Sequence, residues 1–398
     1  MDQVNAARRA YDGPIFFSAG FRPFFLSAAL FAGIALPLWI AFLEGVAMPG
    51  GDVFPPIYWH GHEMIFGYLG AVMGGFALTA IAEWTKRPAT AGWLLVMLTA
   101  LWFAGRIAVA SAAADLITPD TAAAIDLLFF AALVATMVRE IVLGRNWKNL
   151  MIPALCTIFW LGNLLFYLSF TIDIEPQFGL RLALAVGALL ISVIGGRITP
   201  IFTRNWLARE AGAPFPAPFG LADKAALLLT GISMLAWACF PQAQGSGALL
   251  VAAGIAQLVR LVRWRGGRTP DEPLVFILHV GYGWLVVALL ALSATILLPD
   301  MVQAGAALHA LTAGAIGVMT IAVMTRASLG HTGRKLTADK GTIAIYALVN
   351  LGAALRVLAP ALPTDYVHTV ALAGILWSAG FILFALKYGR YLTAPRVA

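Results

Sequence analysis

The six histidines of the sequence are the residues best suited to carry chemistry. They are His60, His62, His279, His309, His331 and His368. Imidazole is the commonest metal ligand in proteins, and it suits iron, copper and zinc. The sequence contains no Walker loop, dinucleotide-binding fingerprint, HExxH zinc motif or cysteine-rich cluster. The chemistry that the sequence favours is therefore metal binding by imidazole.

The densest segment is residues 59–64, with the sequence WHGHEM. Residues two apart on a helix point to opposite sides. Both His60 and His62 can therefore bind one metal only if His60 still lies in the loop before the helix, which Gly61 permits. Otherwise each histidine has its own partner, or one or both form hydrogen bonds at the membrane interface.

His309 lies in a run of small residues. Gly305, His309, Ala313 and Gly317 recur at every fourth position and are expected to share one helix face. A flat face beside a histidine can seat a porphyrin, but the same face also allows two helices to pack closely. Weaker versions of the pattern are His279 with Gly283, and the stripe of His62, Phe66, Gly70 and Gly74.

The elements that position these residues follow from composition. Of 398 residues, 61% are hydrophobic and only 11% are charged, too few charges for the surface of a soluble domain. Apolar runs of roughly 20 residues, enough to cross a membrane, recur along the chain. We predict an all-α, polytopic integral membrane protein with about twelve transmembrane helices, forming one domain over residues 1–398. The predicted spans are 23–44, 61–84, 90–111, 118–143, 148–170, 178–196, 220–240, 246–264, 273–297, 302–326, 341–361 and 365–388.

The net charge of +7 reflects membrane topology and not nucleic-acid binding, because the basic residues lie in alternate short loops. Of the 26 Lys and Arg residues, all but Arg106, Arg181 and Arg356 fall on one side of the predicted helices. The positive-inside rule makes this side, which includes Arg8 and Arg9, cytoplasmic. Both chain ends are then inside. The longest predicted loop, residues 197–220, contains four prolines and is expected to be extended and cytoplasmic.

This topology sorts the histidines into two groups. His60, His62, His309 and His368 are predicted near the outer surface, at the outer ends of their helices or within about two turns of them. His279 is predicted about two turns above the inner surface, and His331 in the inner loop after helix 10. Intramembrane ionisable residues are costly and indicate a functional site by default.

Several arginines are candidates to bind the propionates of a haem. Arg106, Arg181 and Arg356 lie at outer helix ends, against the charge rule. An ion pair is the alternative, and Asp126 lies at a similar depth to Arg106 in the next predicted helix. On the inner side Arg22, Arg197 and Arg326 could serve in the same way, or could extend to lipid phosphates.

Five motifs resemble the NnrS family and occur in the same order over nearly the whole chain. They are residues 21–25 (FRPFF), 60–64 (HGHEM), 195–203 (GGRITPIFT), 309–315 (HALTAGA) and 324–334 (MTRASLGHTGR). The resemblance implies a membrane protein of the bacterial cytoplasmic membrane that contains haem (haem b) and copper. It implies a link to nitric oxide, denitrification and resistance to nitrosative stress. His60, His62, His279, His309 and His331 carry over as candidate ligands, whereas His368 lies outside the matched motifs.

Three functions remain in competition at this point. The first is a haem protein that binds or turns over nitric oxide, as an oxidoreductase supplied by an electron donor. The second is a twelve-helix secondary transporter or metal exporter without a redox cofactor. The third is a sensor or assembly partner for denitrification enzymes. Haem–copper oxidases share the helix number, but their adjacent pair of histidines is missing here.

The topology can be tested with reporter fusions. Alkaline phosphatase, which is active only outside the cytoplasm, is expected to be active when fused after Asp173 and inactive when fused after Arg209. Green fluorescent protein fused at the same two positions should give the opposite pattern and serves as the control. Active phosphatase at both positions would contradict the predicted helix count.

Overall fold

The computed structural model describes residues 11–46 and 55–397, and in these residues it contains helices and no strands. Within these residues, twelve helices are long and apolar enough to cross a membrane. The protein is therefore an all-α, multi-pass membrane protein, as predicted. The helices are α1 Phe21–Leu43, α2 Pro56–Thr85, α3 Trp93–Ala113, α4 Pro119–Leu143, α5 Met151–Leu168, α6 Pro176–Leu207, α7 Leu221–Cys239, α8 Gln244–Val262, α9 Pro273–Leu297, α10 Ala304–His331, α11 Lys340–Leu358 and α12 Tyr366–Thr393. Arg8 and Arg9, which entered the topology argument, lie outside the described residues.

In the part of the chain that the structure describes, three helices contain a wider, π-helical turn. These segments are Glu63–Leu69 in α2, Ile191–Gly195 in α6 and Ala310–Ile316 in α10. A π-helical turn holds one more residue than an α-helical turn and is frequent at functional sites. It also shifts the positions of all following side chains. The predicted face of Gly305, His309, Ala313 and Gly317 is therefore interrupted, because an ideal α-helical period does not hold across residues 310–316.

The prediction of a loop over residues 197–220 was wrong for its first half, because α6 continues to Leu207. Pro200 suggested a loop, since proline has no N–H to donate to the carbonyl of residue 196. In the structure Arg260 Nη2 donates to the Gly196 carbonyl at 3.4 Å, so that carbonyl keeps a partner. The helix therefore tolerates the proline.

Two other boundaries also move predicted site residues. His60 and His62 both lie in the helical segment Pro56–His62, so the condition under which both could bind one metal is not met. His331 is the last residue of α10, not a loop residue. Both helices extend past the apolar run, where polar residues lowered the hydropathy signal.

The helices divide into two compact units. Within the described residues, unit 1 consists of residues 11–46, 55–183, 327–334 and 384–397, and unit 2 of residues 184–326 and 335–383. In unit 1, Gly75 of α2 packs against Phe24 and Phe25 of α1, while Gly70 packs against Phe130 of α4. The small residues of α2 therefore receive phenylalanine rings, as in close helix packing.

Unit 2 uses the same kind of packing. Gly314 and Gly317 of α10 lie against Trp284 and Trp377, respectively. Trp377 Nε1 also donates a hydrogen bond to the Ala313 carbonyl at 3.2 Å. The small residues after His309 are thus covered by tryptophan rings. This part of the face serves close helix packing and is not an open surface for a porphyrin.

Gly352 of α11 provides a test of this packing. A Cβ at Gly352 would meet the Ala373 carbonyl oxygen at 2.6 Å and the Trp377 nitrogen at 2.7 Å, both backbone atoms that cannot move aside easily. Overpacking costs about 1–3 kcal/mol, and alanine recovers up to about 1 kcal/mol of helix propensity. Gly352→Ala should therefore lower the thermal unfolding temperature in detergent.

The matched control is Gly283→Ala in α9, where the nearest atom to the new Cβ, on Leu261, lies 3.8 Å away. This variant should be as stable as the parent or slightly more stable. Equal stability of the two variants would contradict the packing described for Gly352.

Candidate functional site

Unit 1 encloses a cluster of four charged side chains on three helices. Arg106 of α3 donates through Nη1 to Glu63 and through Nη2 to Asp126 of α4. His62 of α2 completes the cluster, with its Nε2 3.4 Å from Asp126 Oδ2. All four side chains are buried. The structure therefore contains the ion pair between Arg106 and Asp126 that was the alternative to a role in propionate binding. Glu63 is a second partner of Arg106.

Both ring nitrogens of His62 have protein partners. Nδ1 lies 2.9 Å from Glu63 Oε1, and Nε2 lies 2.9 Å from Asn163 Oδ1. The orientation of the Asn163 amide follows from its other bond, because Nδ2 donates to Asp126 Oδ2 at 2.8 Å. Asn163 therefore presents a carbonyl oxygen to His62, and both ring nitrogens of His62 face acceptors.

This arrangement suits an imidazolium, which donates from both nitrogens. Two positive groups, His62 and Arg106, then balance two carboxylates, Glu63 and Asp126, so the buried cluster is neutral. Buried charges are tolerated when they are paired and hydrogen-bonded in this way. To bind a metal, His62 would have to give up one of these bonds.

The π-helical segment of α2 makes room for the guanidinium. A Cβ at Gly67 would lie 2.9 Å from Arg106 Nη1, so only glycine allows this approach. The Gly67 carbonyl accepts a hydrogen bond from Trp102 Nε1 at 3.0 Å. Phe66 and Phe166 lie against the His62 ring, with centroids 5.1 and 5.0 Å away, and His62 is fully buried.

Unit 2 contains a second buried network, which the sequence reasoning missed. Arg260 of α8 donates through Nε to Asp223 of α7 at 2.9 Å, and through Nη1 to the Ser192 carbonyl at 2.7 Å and to Tyr282 Oη at 2.8 Å. Tyr282 in turn donates to Gln257 Oε1 at 2.5 Å. Ser192 lies in the π-helical segment of α6. Because Asp223 and Arg260 fall inside predicted spans, intramembrane charge was the signal that could have identified them.

His309 lies in unit 2 immediately before the π-helical segment of α10. Its Nδ1 donates to the Gly305 carbonyl at 2.7 Å, which defines the tautomer and leaves Nε2 as the unprotonated nitrogen. Among the residues that the structure describes, this Nε2 has no hydrogen-bond partner. A metal-binding histidine is commonly oriented in this way, by a backbone carbonyl on its other nitrogen.

Arg356 of α11 lies beside the same turn. Its Nη2 is 3.5 Å from the position that a Cβ on Gly305 would take, and its buried Nη1 has no hydrogen-bond partner in the described part of the chain. The guanidinium also lies over the Tyr366 ring, 5.9 Å from the centroid. His309, a predicted haem ligand, and Arg356, a predicted propionate partner, thus lie close together in unit 2.

His279 of α9 has a different environment. Thr203 donates its hydroxyl to the Thr199 carbonyl at 2.8 Å and therefore accepts from His279 Nε2, also at 2.8 Å. The other nitrogen, Nδ1, is buried without a partner in the described residues. It lies against Gly266, where a Cβ would meet Nδ1 at 2.5 Å. This contact leaves no room for a porphyrin plane on that nitrogen.

The remaining predicted ligands are dispersed. The His60 ring stacks on Trp39 with centroids 4.6 Å apart. The His331 ring lies 5.4 Å from that of Phe21. His368, at the surface, pairs with Asp365 at 2.9 Å.

The other predicted arginines have partners of their own or lie at the surface. Arg22 Nη1 donates to backbone carbonyls at the end of α12, including that of Leu392 at 2.7 Å. Arg326 stacks on Phe202, with Cζ 3.8 Å from the ring centroid. Arg181 pairs with Glu175 at 2.8 Å, and Arg197 is exposed on α6. Their roles toward a cofactor stay predictions.

Copper normally requires several converging side chains. Within residues 11–46 and 55–397, no group of three or more His, Cys, Asp or Glu side chains is arranged to hold a metal ion. Copper binding therefore stays a prediction, whereas a haem iron needs one suitable imidazole, which His309 offers.

The fold and these sites define a class, namely polytopic helical membrane proteins with buried charge networks inside the bundle. The family model described as NnrS protein matches residues 15–396, and the chain belongs to this family. Membership suggests a role linked to the nitric oxide response. No curated protein matches the chain.

Arg106 allows a test of the unit 1 cluster. Arg106→Met leaves the two buried carboxylates with one positive partner, and breaking a buried ion pair costs about 3–5 kcal/mol. We expect a large fall in thermal stability in detergent. In the double variant Arg106→Met with Asp126→Asn, the remaining charges on His62 and Glu63 balance, so part of the lost stability should return.

Arg181→Gln is the control, since it breaks the exposed pair with Glu175 and should cost less than about 1 kcal/mol. The Arg181 hydrogen bond lowers the pKa of Glu175 from its usual value of 4.5. This small contribution is therefore complete above pH 4.5 and disappears as the pH falls through the lowered pKa. If Arg106→Met lowered the thermal stability no more than Arg181→Gln, the buried cluster would not stabilise the fold as described.

Proposed function

We propose that this protein is a haem protein of the bacterial cytoplasmic membrane that binds nitric oxide, and that His309 is the residue that would hold the haem iron. The single observation that supports this is the state of the His309 ring. Its Nδ1–H is held by the Gly305 carbonyl, and its Nε2 is left without a protein partner among the described residues. A haem iron, when bound, supplies a site at which nitric oxide coordinates.

The chain's own residues then have defined tasks. The Gly305 carbonyl orients the imidazole and increases the basicity of Nε2. Arg356 offers the unpartnered Nη1 to a propionate, and charge-assisted bonds of this kind are among the stronger hydrogen bonds. Trp284 and Trp377 pack against Gly314 and Gly317 of the segment that follows. An electron donor or a denitrification enzyme would be the expected protein partner.

The proposal predicts that His309→Ala lowers the haem content of the purified protein by at least about tenfold, because the imidazole that would hold the iron is lost. Added imidazole should restore part of the Soret absorbance by occupying the vacated position. In the parent protein, reduction followed by nitric oxide should shift that band. Arg356→Gln should retain haem but release it faster to a haem-scavenging protein.

His368→Ala is the matched control, since His368 is an exposed histidine paired with Asp365, and it should keep full haem content. Full haem in His309→Ala, or no Soret band in the parent protein expressed with excess haem precursor, would overturn the proposal.

Secondary transport is a second candidate, favoured by the buried cluster of His62, Glu63, Arg106 and Asp126. Intramembrane charges of this kind also mark ion and proton pathways. The two functions separate in proteoliposomes. Substrate flux that survives His309→Ala but is abolished by Asp126→Asn would support transport, and loss of nitric oxide binding with His309→Ala would support the haem function.

A further inference from the structure

Unit 2 has a cavity of about 520 Å³ at the end of α8 and the beginning of α9. Its lining includes Arg265, Gly266, Gly267 and Arg268 from the segment that follows α8, together with Phe276 and His279 of α9. None of these residues takes part in the proposed haem site at His309. The size is in the usual range for a binding pocket for a small organic molecule.

The wall of the cavity is apolar and continues onto the lipid-facing surface. Val262 and Phe276 line it, and both are exposed on the outside of the helices. In a membrane, this surface meets hydrocarbon. A ligand of this cavity is therefore expected to have an apolar part that enters the cavity from the bilayer. A free inorganic anion has no such part.

The rim of the cavity carries two arginines, Arg265 and Arg268, whose positive charge is largely unpaired with protein carboxylates. The neighbouring basic residues are occupied, because Arg260 and Arg263 both pair with Asp223. Arg268 has only a long, exposed contact of 3.8 Å with Glu210. Arg265 has no ion pair within the described residues. Two guanidinium groups at the rim are thus available to an anionic group.

The backbone of the segment keeps the cavity open. Arg265 adopts the left-handed conformation with φ of 62°, which turns the chain at the end of the helix. A Cβ at Gly267 would meet no atom within 4 Å, so the space next to it is empty. Gly266 lies directly on the His279 ring, which closes the inner side of the cavity.

We propose that this cavity binds the phosphate headgroup of an anionic phospholipid from the cytoplasmic leaflet, with Arg265 and Arg268 at the phosphate and the acyl chains along Val262 and Phe276. The predicted topology places this end of the helices on the cytoplasmic side. Anionic lipids are concentrated in that leaflet, and juxtamembrane basic residues attract them. Arginine suits the planar, bidentate recognition of phosphate.

The test is a lipid titration of the full-length protein in neutral detergent, followed by native mass spectrometry. The probes are phosphatidylglycerol, phosphatidylcholine with the same acyl chains, and glycerol phosphate without chains. We expect phosphatidylglycerol to bind in preference to both of the others. The double variant Arg265→Gln with Arg268→Gln should weaken its binding by on the order of tenfold.

Two further variants make the result specific. Arg209→Gln removes an inner-side arginine that stacks on Trp206 and does not line the cavity, so it should leave lipid binding unchanged. Gly267→Leu places a side chain in the empty space without changing charge and should also weaken binding. The haem spectrum should stay unchanged in all of these variants, which separates this inference from the proposed function.

Three outcomes would overturn the inference. One is equal weakening by Arg209→Gln and by the double variant, which would indicate general surface charge. Another is glycerol phosphate binding as tightly as the lipid, which would indicate a site for a free phosphate compound. The third is retained binding in Gly267→Leu, with the variant shown to be folded by its thermal unfolding curve, which would show that the lipid does not occupy the space beside Gly267.

Discussion

Hydrocarbon offers no hydrogen-bond partner, so every charge inside the bilayer must find its partner within the protein. Two of the buried arginines, Arg106 and Arg260, meet this constraint in the same way. Arg106 reaches carboxylates on α2 and α4, and Arg260 reaches Asp223 on α7 and a backbone carbonyl of α6. Each guanidinium therefore ties neighbouring helices of its unit at one depth. Helices that slid past one another would leave charges unpaired, which makes these contacts a determinant of register as well as of stability.

The approach of each arginine depends on a glycine in or next to a π-helical segment. Gly67 lies within the segment of α2, and Gly196 follows directly after the segment of α6. A Cβ at Gly196 would meet Arg260 Nη1 at 2.5 Å, much as a Cβ at Gly67 would meet Arg106. The wider turn and the missing side chain together let a large cation lie against the helix backbone. Both units thus solve the same electrostatic problem with the same local construction.

Hydropathy and loop charge were enough to predict the twelve helices, because membrane insertion depends on these properties. The pairing of Arg106 with Asp126 was also available from depth alone. The role of Glu63 could not be predicted from depth, because Glu63 adjoins His62 and starts a π-helical turn that a period of 3.6 residues does not describe. The end of α6 was missed for a related reason. Pro200 normally ends a helix, and the donor that compensates for it, Arg260, is sixty positions away in the chain. Long-range side-chain partners of this kind leave no local pattern.

The π-helical turns also determine how the sequence of these helices can vary in length. Each adds one residue, and one residue in an α-helix corresponds to a rotation of roughly 100°. Deleting a single residue from residues 310–316 would regularise the turn and rotate the rest of α10 relative to His309. Trp284 and Trp377 would then face different side chains. In these three segments, the number of residues is therefore as much a structural requirement as their identity, and a comparison of related chains should treat a one-residue gap there as a change of helix face.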